Sequence, residues 1–440
     1  MSAPQTEDNN ETENANELAP TSSDTGNEVQ PQLIWNPYEN SWSCFQQLFA
    51  TKWNQLLVRF TARFPSLVNA WQTYQKLSGI LHPSAEMLKN GTETPNWDEV
   101  PIRFLAPHPK LNWMALVTGE DKVLLFYDDD RMPTCVEHVQ QQHVSCVVWR
   151  PSVITTWAVG CAAGIFIWLD VGCTKSIHGS PMYLLSNSGH TFVTSVQWNR
   201  DGSILASAAL GTAYILLWDP DDGSCLNSLP FPNNCNTGYR ILRYSPRYTW
   251  IFCAAQGVGA SMWHIGSNEW RLQEIRVKGS VQSAAWSACG SFLFLSMKDS
   301  TRLYAAYCET SVFRGVKPKW KARFLINLER VPFGGRVFDC GVPQAIAIDP
   351  GNIYMALIFR DRPFVFLFIL IARDPLELWP ADIKQPSLSG AYPVCVRFSS
   401  MKETSRILAI AWSTGNVERW LLTPDYVLEH LNDIWVKPPQ

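Results

Sequence analysis

The side chains that could carry chemistry in this chain are eight histidines, twelve cysteines and its carboxylates. They form no familiar catalytic motif: the chain has no GxSxG nucleophile elbow, no GxxxxGK[ST] phosphate loop and no HExxH zinc site. Gly257 and Gly259 begin a GxGxxG pattern, but its third glycine is absent. We therefore predict a protein that is not an enzyme and needs no cofactor. A catalytic site built from loops that are distant in sequence remains the alternative.

Cysteine spacing also argues against a structural metal site. No CxxC is present, and the closest pair, Cys225 and Cys235, lies ten residues apart, whereas zinc sites use short paired spacings. Several cysteines fall inside predicted strands, where a free thiol acts as a small apolar group: Cys146, Cys161, Cys253 and Cys395. The chain starts with acidic residues and no signal peptide, so we expect reduced thiols.

One histidine has a defined place, because it belongs to a repeat. Residues 189–219 read GHTFVTSVQWNRDGSILASAALGTAYILLWD. The pair Gly189-His190 opens this copy, Trp198 ends an alternating run, Asp201-Gly202 forms a turn, and Trp218-Asp219 closes it. A Gly-His start and a Trp-Asp end are typical of a WD40 blade, a four-stranded sheet of a β-propeller. A lone blade cannot bury its faces, so the pattern predicts a ring of stacked sheets.

Six weaker copies accompany this one, each marked by a bulky residue that ends an alternating run. The seven landmarks are Phe104, Trp149, Trp198, Tyr244, Trp286, Ile348 and Phe398. They are separated by 45, 49, 46, 42, 62 and 50 residues, whereas the usual WD40 period is ~40–45, so one repeat carries an insertion. We predict an all-β fold, a seven-bladed WD40-type β-propeller.

A second landmark follows each first one after 18 to 22 residues, at an aromatic residue in an apolar run. These residues are Phe126, Trp168, Trp218, Trp263, Tyr304, Phe366 and Trp420. Repeat positions thus account for much of the high count of twenty tryptophans. We expect the repeat tryptophans to be buried in blades rather than to stack on a carbohydrate or a nucleobase.

The chain divides into four predicted segments. Residues 1–30 carry seven carboxylates and no Lys or Arg, so we expect a disordered leader that is solubilising or an acidic interaction tail. A helical extension and linker at 31–96, the propeller at 97–425 and a C-terminal tail at 426–440 follow. Without the leader, the net charge changes from −3 to +4, which is too little to indicate nucleic acid as the main ligand.

A helical period replaces the strand period between about residues 41 and 81. Trp42, Phe45, Phe49 and Trp53 recur at intervals of three and four, and therefore line one face of a helix. We call these four residues the seam. Three alternatives remain: the seam packs on the propeller, it binds a partner, or it lies on a membrane surface. The third is disfavoured, because its polar face lacks the Lys and Arg expected there.

Two further segments have competing interpretations. Lys319, Lys321 and Arg323 alternate with apolar residues, which fits RNA binding or, better, an outer blade strand whose charged face discourages edge pairing. The longest apolar run, from Phe364 to Ala372, has nine residues. A bilayer span needs about 20 residues, so this run predicts a buried strand.

Ordered stretches of the chain resemble the aladin family of WD-repeat nucleoporins. Residues 147–168 (VVWRPSVITTWAVGCAAGIFIW) and 188–220 are similar to its second and third blades. LRYSP at 242–246, AAWSACGSFLF around Trp286 and AIAWSTGNVERWLL at 409–422 are similar to its later blades. The resemblance covers roughly residues 97–425.

The resemblance implies a non-enzymatic component of the nuclear pore complex. It implies attachment to the nuclear envelope through an integral membrane nucleoporin, so that membrane association is indirect, with no direct nucleic-acid ligand. It also implies a mitotic role at the spindle, with spindle or kinase partners. A WD40 adaptor that presents substrates to an enzyme assembly such as a ubiquitin ligase remains the alternative. A scaffold would use side surfaces and the seam, whereas an adaptor would use the narrow top of the ring.

Overall fold

The computed structural model describes most of the chain between residues 87 and 422, all within one compact unit, Thr73–Gln440. The described ranges are 87–88, 92–94, 96–127, 132–169, 176–177, 181–230, 239–247, 249–255, 258–265, 270–309, 319–372, 375–400 and 406–422. The leader, the seam and the C-terminal tail lie outside the described residues, and what was predicted for them stays a prediction.

Thirty strands occur within these described ranges. The first three repeats contain β1 (Ile102–Pro107), β2 (Met114–Thr118), β3 (Val123–Phe126), β4 (Thr134–Val136), β5 (Cys146–Trp149), β6 (Thr156–Cys161), β7 (Gly164–Leu169), β8 (Ser176–Ile177), β9 (Tyr183–Leu185), β10 (Val193–Trp198), β11 (Leu205–Ala209), β12 (Tyr214–Trp218) and β13 (Cys225–Pro230). The fourth and fifth contain β14 (Tyr239–Tyr244), β15 (Trp250–Ala255), β16 (Val258–Ile265), β17 (Trp270–Ile275), β18 (Val281–Trp286), β19 (Phe292–Met297), β20 (Arg302–Glu309) and β21 (Lys319–Asn327). After them come β22 (Arg330–Phe333), β23 (Arg336–Asp339), β24 (Pro343–Ile348), β25 (Tyr354–Phe359), β26 (Val365–Ile371), β27 (Glu377–Lys384), β28 (Pro393–Ser400), β29 (Arg406–Trp412) and β30 (Val417–Leu422).

Each repeat folds into an antiparallel meander, because its short apolar runs are separated by turns that reverse the chain. The third to sixth repeats form the four-stranded sheets β10–β13, β14–β17, β18–β21 and β24–β27. The second repeat uses β5, β6, β7 and β9, and the first uses β1–β4 with the short β8 added in parallel to β4. The seventh sheet has three strands, β28–β30, among the described residues, whereas four were predicted for every blade.

The first strand of each sheet lines the centre of a closed ring. These strands contact one another in the order β1, β5, β10, β14, β18, β24 and β28, and β28 in turn contacts β1. The predicted seven-bladed β-propeller is therefore confirmed. Closure between the first and last blades uses apolar side chains of both, including Leu105, Met114, Cys395 and Ala409.

The core of the molecule lies between the blades rather than within a central mass. Seven apolar clusters of the described residues each combine two neighbouring blades, and together they follow the ring completely. The run at Phe364–Ala372 contributes β26, which is buried along nearly its whole length, as its composition predicts. Each blade thus covers the faces of its neighbours, which explains how this many residues form one unit.

The strand register defines equivalent positions in the seven blades. Trp198 pairs with Leu205, which also pairs with Trp218 on its other side. By the same relation Phe126, Trp168, Trp263 and Trp420 occupy the position of Trp218 in their own blades. One aromatic position is therefore repeated in these five blades, and Phe368 occupies it in the sixth blade.

Three landmarks were placed incorrectly by the sequence alignment. In the first blade Pro107, not Phe104, stands where Trp198 stands in the third, because Pro107 pairs with the first residue of β2. In the fifth and sixth blades Ala306 and Phe368 take the position of Trp218, two residues after the predicted Tyr304 and Phe366. In the fifth and sixth blades the shift of two residues keeps the side chain on the same face of the strand. The alternating pattern therefore cannot distinguish the predicted residue from the observed one in these two blades.

The 62-residue interval contains an outer strand and an additional hairpin. Residues 319–327 form β21, the outer strand of the fifth blade, as the alternating charges predict. Lys321 and Arg323 both face Glu309 of β20, with N–O distances of 2.5 and 3.6 Å. The hairpin β22–β23 then packs Val331 and Phe338 against the sixth blade.

Replacing Trp218 by Ala tests the structural importance of the repeated aromatic position. Trp218 is fully buried between strands, so we expect unfolding free energy to fall by ~3–5 kcal/mol because a cavity remains. Trp420→Ala is the matched control, since Trp420 has the same register position but is only half-buried at the last strand. Urea unfolding should show a clearly smaller loss for Trp420→Ala, and equal losses would contradict this interpretation.

Candidate protein-interaction surfaces

A buried hydrogen-bond network in the third blade connects the loop before β10 to two strands. The indole N–H of Trp218 donates to Ser207 Oγ at 2.8 Å, and His190 Nε2 lies 2.8 Å from the same oxygen. His190 Nδ1 lies 2.9 Å from Thr212 Oγ1 in the β11–β12 turn. All groups are satisfied if Ser207 donates to Nε2 and Nδ1 carries the proton of a neutral imidazole.

Burial determines the protonation state of this histidine. His190 has no solvent-exposed surface, and desolvation lowers its pKa to about 4. Burial disfavours the charged imidazolium, so the neutral ring at physiological pH serves as a structural link rather than as an acid or base.

The other predicted residues of this repeat shape its turns. Gly189 and Gly202 have φ values of 78° and 72°, a left-handed conformation that glycine adopts without steric cost. Asp201 accepts hydrogen bonds from the backbone N–H and the hydroxyl of Ser203. Asp219 accepts from the backbone N–H of Asp221. These contacts give the four residues structural functions.

In the second blade, different residues provide the hydrogen-bond partner of the equivalent tryptophan. Gln141 stands where His190 stands in the third blade, since each lies eight residues before the tryptophan that ends its first strand, and Val159 replaces Ser207 in the register. The indole N–H of Trp168 donates directly to Gln141 Oε1 at 3.1 Å. Sequence inspection missed Gln141, because its role becomes visible only from the register.

Tryptophans that end a first strand connect one blade to the previous one. The indole N–H of Trp149 donates to Ala106 O at 2.8 Å, and that of Trp286 to Arg243 O at 2.9 Å. Trp198 donates to Val148 O at 3.3 Å. In each pair the acceptor precedes the preceding blade's own landmark position by one residue, so the contact repeats around the ring.

The ring has two faces. We call the face at which the first strands begin the upper face, and the face at which they end the lower face. Thr92–Thr94, which we call the strap, enters the channel from the upper face and lies against the first strands of several blades. The free space that remains in this part of the channel is about 40 Å³, enough for a few water molecules at about 10–15 Å³ each.

The strap is held by polar contacts to four blades. Glu93 forms an ion pair with Arg243 of the fourth blade at 2.6 Å and faces Arg397 of the seventh at 3.8 Å. Its backbone carbonyl accepts from Gln344 of the sixth blade at 2.9 Å. The hydroxyl of Thr94 donates to the carbonyl of Arg103 in the first blade at 2.8 Å. The strap therefore crosses the channel rather than following its wall.

The lower face opens into an apolar funnel of about 500 Å³. Trp149, Trp198 and Trp286 border it where their first strands end. Proline follows the landmark position by two residues in four blades: Pro109, Pro151, Pro246 and Pro350. This rim is rigid and largely apolar, and it is suited to packing against another protein surface.

The predicted site residues fall into two groups. The repeat residues lie throughout the blades: Trp149, Trp198 and Trp286 at first-strand ends, and Trp168, Trp218, Trp263 and Trp420 at the third-strand position. The candidate partner-binding residues Trp42, Phe45, Phe49 and Trp53 lie outside the described residues.

Sequence reasoning missed Glu93, Arg243 and Arg397. The sequence offered one signal for the two arginines, because an arginine stands directly before the landmark residue in RYSP and in RFSS.

Neither metal clusters nor membrane-spanning helices emerge from the described ranges. Within them, no group of three or more His, Cys, Asp or Glu side chains could hold a metal ion. No helix there is long and apolar enough to cross a bilayer. Cys146, Cys161, Cys253 and Cys395 are free, and burial raises the pKa of Cys161 to about 11 and that of Cys253 to about 12.

Comparisons with known proteins agree with the blade geometry. Residues 179–219 match the family described as WD domain, G-beta repeat. The chain is 22% identical to Aladin from Arabidopsis thaliana over 365 residues, covering 76% of this chain and 78% of that protein. A solved structure, the β-propeller domain of Cps50 (Swd1) from Myceliophteria thermophila, aligns with a TM-score of 0.46 and 16% identity, over 66% of this chain and 88% of that one.

Seven closed blades with a WD40 repeat define this chain as a WD-repeat β-propeller, a scaffold or interaction protein. Within that class it is an aladin-like WD-repeat protein.

Exchanging residues between the second and third blades tests the hydrogen-bond network. Ser207→Val leaves His190 and the Trp218 N–H without their shared partner, so we expect a loss of about 2 kcal/mol in unfolding free energy. Adding His190→Gln recreates the second-blade combination, in which Gln141 accepts from the indole N–H of Trp168 and Val159 stands at the position of Ser207. The double variant should therefore be more stable than Ser207→Val alone, by about 1 kcal/mol in urea unfolding. A double variant that is less stable than Ser207→Val would contradict the equivalence of the two blades.

The lowered pKa of His190 predicts a loss of stability in acid. The unfolded chain binds a proton at the ordinary pKa of 6.5, whereas the folded chain binds it only near pH 4. Unfolding free energy should therefore decrease as the pH falls from 6.5 to 4, by about 3 kcal/mol in total. His190→Gln should lose this part of the slope, while His108, whose pKa is also lowered by burial, contributes equally to both chains. Identical slopes in urea unfolding would show that His190 is not buried in its neutral form.

Proposed function

We propose that this protein is a non-enzymatic scaffold of the nuclear pore complex, held at the nuclear envelope by an integral membrane nucleoporin. The observation that carries the proposal is the similarity to aladin over 76% of the chain, which extends far beyond the single matched WD40 repeat at 179–219. The membrane contact in this proposal is indirect and is made by protein surfaces.

The outside of the ring supports a scaffold, because it presents extended strands with exposed side chains. Nearly all of β13 is exposed, including Leu226 at 50%, and β21 exposes Phe324 at 56%. Isolated exposed apolar residues on rigid strands can anchor a partner without any rearrangement of the ring. The lower funnel adds a concave apolar surface of the kind that binds protein side chains.

The alternative of a ubiquitin-ligase adaptor receives less support. Such an adaptor would bind its target at the upper end of the channel, through polar groups near the axis. In this chain Glu93 already pairs with Arg243 inside the channel. A pocket of about 500 Å³ stays open at the upper mouth, lined by Arg240, Gln282 and Gln344 among others. The sides of the blades and the lower funnel are further open surfaces, and these fit a scaffold.

We further propose that the seam, Trp42, Phe45, Phe49 and Trp53, supplies an additional apolar anchor for the membrane nucleoporin. Large aromatic side chains commonly contribute about 2 kcal/mol or more each when they are buried at the centre of an interface. Their helical spacing would present them together to one partner groove.

Localisation of a seam variant tests this anchor. We expect Trp42→Ser/Phe49→Ser to reduce the nuclear-rim signal of the tagged full-length chain while its thermal unfolding is unchanged. Phe324→Ser is the matched control, because it removes an exposed aromatic from the side of a blade. If the seam variant keeps the rim signal and Phe324→Ser loses it, the propeller surface is the anchor. A seam variant with lowered thermal stability would instead show packing on the propeller.

Proximity labelling in intact cells tests the location itself. Integral membrane nucleoporins should be the leading neighbours of the wild-type chain, and ubiquitin-ligase subunits in their place would overturn the scaffold proposal. In mitotic cells the same labelling tests the spindle and kinase partners that the resemblance implies.

A further inference from the structure

The upper channel is a cationic site whose charge is offset from within the chain. Three arginines line it: Arg240, Arg243 and Arg397. Among the described lining residues, Glu93 is the one carboxylate. Arg240 is 5% exposed, and burial lowers its pKa while attraction to Glu93 opposes that shift. Cations removed from water are costly unless an anion accompanies them, so this channel requires a carboxylate near the position of Glu93.

Contacts to the blades hold Arg243 and Arg397 in place in addition to their contacts with Glu93. Arg243 donates through Nε to Ala284 O at 2.7 Å and through Nη1 to Leu242 O at 2.8 Å, which leaves Nη2 for Glu93. Arg397 donates through Nη1 to Val396 O at 2.8 Å, and its guanidinium lies over the ring of Phe104 at 4.8 Å. Each guanidinium thus directs a second terminal nitrogen towards the channel. Pre-oriented donors of this kind bind carboxylates with high geometric specificity.

The strap makes the contacts that a bound peptide would make. Arg243 of the channel donates to the carboxylate of Glu93 in the strap. Two backbone carbonyls of the strap also accept hydrogen bonds: Arg240 donates to Thr92 O and Gln344 donates to Glu93 O. Side-chain donors that bind main-chain carbonyls recognise a peptide backbone, and a paired arginine selects an acidic side chain. The space of about 40 Å³ beside Arg243 and Arg397 cannot hold a second segment, whereas a wider pocket of about 500 Å³ lies at the upper mouth.

We propose that the upper channel is a binding site for an acidic peptide, and that Glu93 occupies it as an internal ligand. A partner's glutamate binds to Arg243 and Arg397 when the strap leaves, and the two occupants exclude each other. An internal ligand acts at an effective concentration of roughly millimolar, so the site is closed in the isolated chain. This inference is independent of the location at the nuclear pore.

The experiment uses the full-length chain with Thr92→Gly, Glu93→Gly and Thr94→Gly, which removes the side-chain contacts of the strap but keeps Trp97 in place. The probe is a fluorescent peptide with the sequence of residues 90–97, NGTETPNW, and its anisotropy is measured on titration. We expect the peptide to bind the triple variant and to bind the wild-type chain at least about tenfold more weakly. Equal binding to both chains, or no binding to a triple variant that melts cooperatively, would overturn the proposal.

Three further arms identify what is recognised. A peptide with glutamine in place of Glu93 should bind the triple variant about tenfold more weakly. Adding Arg243→Met or Arg397→Met to the triple variant should weaken binding, while Arg360→Met should not, because Arg360 lies on the same face but contacts Lys298 and Asp299. Sodium glutamate at the peptide's concentration should leave the peptide bound. If the glutamine peptide binds equally, or if free glutamate displaces the probe, recognition of an acidic peptide is refuted.

Discussion

The structure depends on burial between neighbouring sheets, since no blade has a core of its own. Each apolar cluster combines side chains of two adjacent blades, and the cluster between the seventh and the first completes the ring. Hydrophobic burial has no direction, so it does not by itself fix how far one blade slides along the next. The indole bonds of Trp149 to Ala106 and of Trp286 to Arg243 supply that direction. They join the end of one first strand to the backbone of the preceding one, and they thereby fix the relative level of the strand ends that they join.

The number of blades could be predicted from sequence because two landmarks recur in phase, but the alternating pattern does not by itself determine the register. Trp168 occupies the predicted position although Phe166 lies two residues before it on the same face, and Trp218, Trp263 and Trp420 occupy that position too. In the sixth blade Phe366 and Phe368 stack at 4.6 Å, and either one satisfies the alternating pattern. In the first blade a proline holds the landmark position, and the nearest aromatic, Phe104, points to the channel instead. The alternating pattern predicts which face of the strand a side chain lies on. Only the hydrogen-bonded pairing of the strands shows which residue occupies an equivalent position.

The strap could not be predicted, since its contacts are long-range and each one is chemically ordinary. Glu93 lies 150 residues from Arg243 and 251 from Gln344, and nothing near Glu93 in sequence marks it. The arginines carried a weak signal: Arg243 and Arg397 stand in first strands at a position that the other described blades fill with the uncharged residues Ala106, Val148, Gln197, Ala285 and Ala347. A charge at an inner-strand position implies an axial partner. Identifying that partner requires the ring to be closed first.

The two ends of the channel therefore differ in physical character, and this difference constrains how the protein can interact. At the upper face, pre-oriented cations favour a specific anionic group, and the chain supplies that group itself. At the lower face, tryptophans and prolines form an apolar rim whose indole N–H groups are already bonded to the neighbouring blade. Those N–H groups cannot select a polar ligand, so the lower rim is suited to shape-dependent packing. A scaffold built in this way can hold one partner at its lower face or sides permanently. At the proposed peptide site, binding to Arg243 depends on release of the strap, because Glu93 must first leave that arginine.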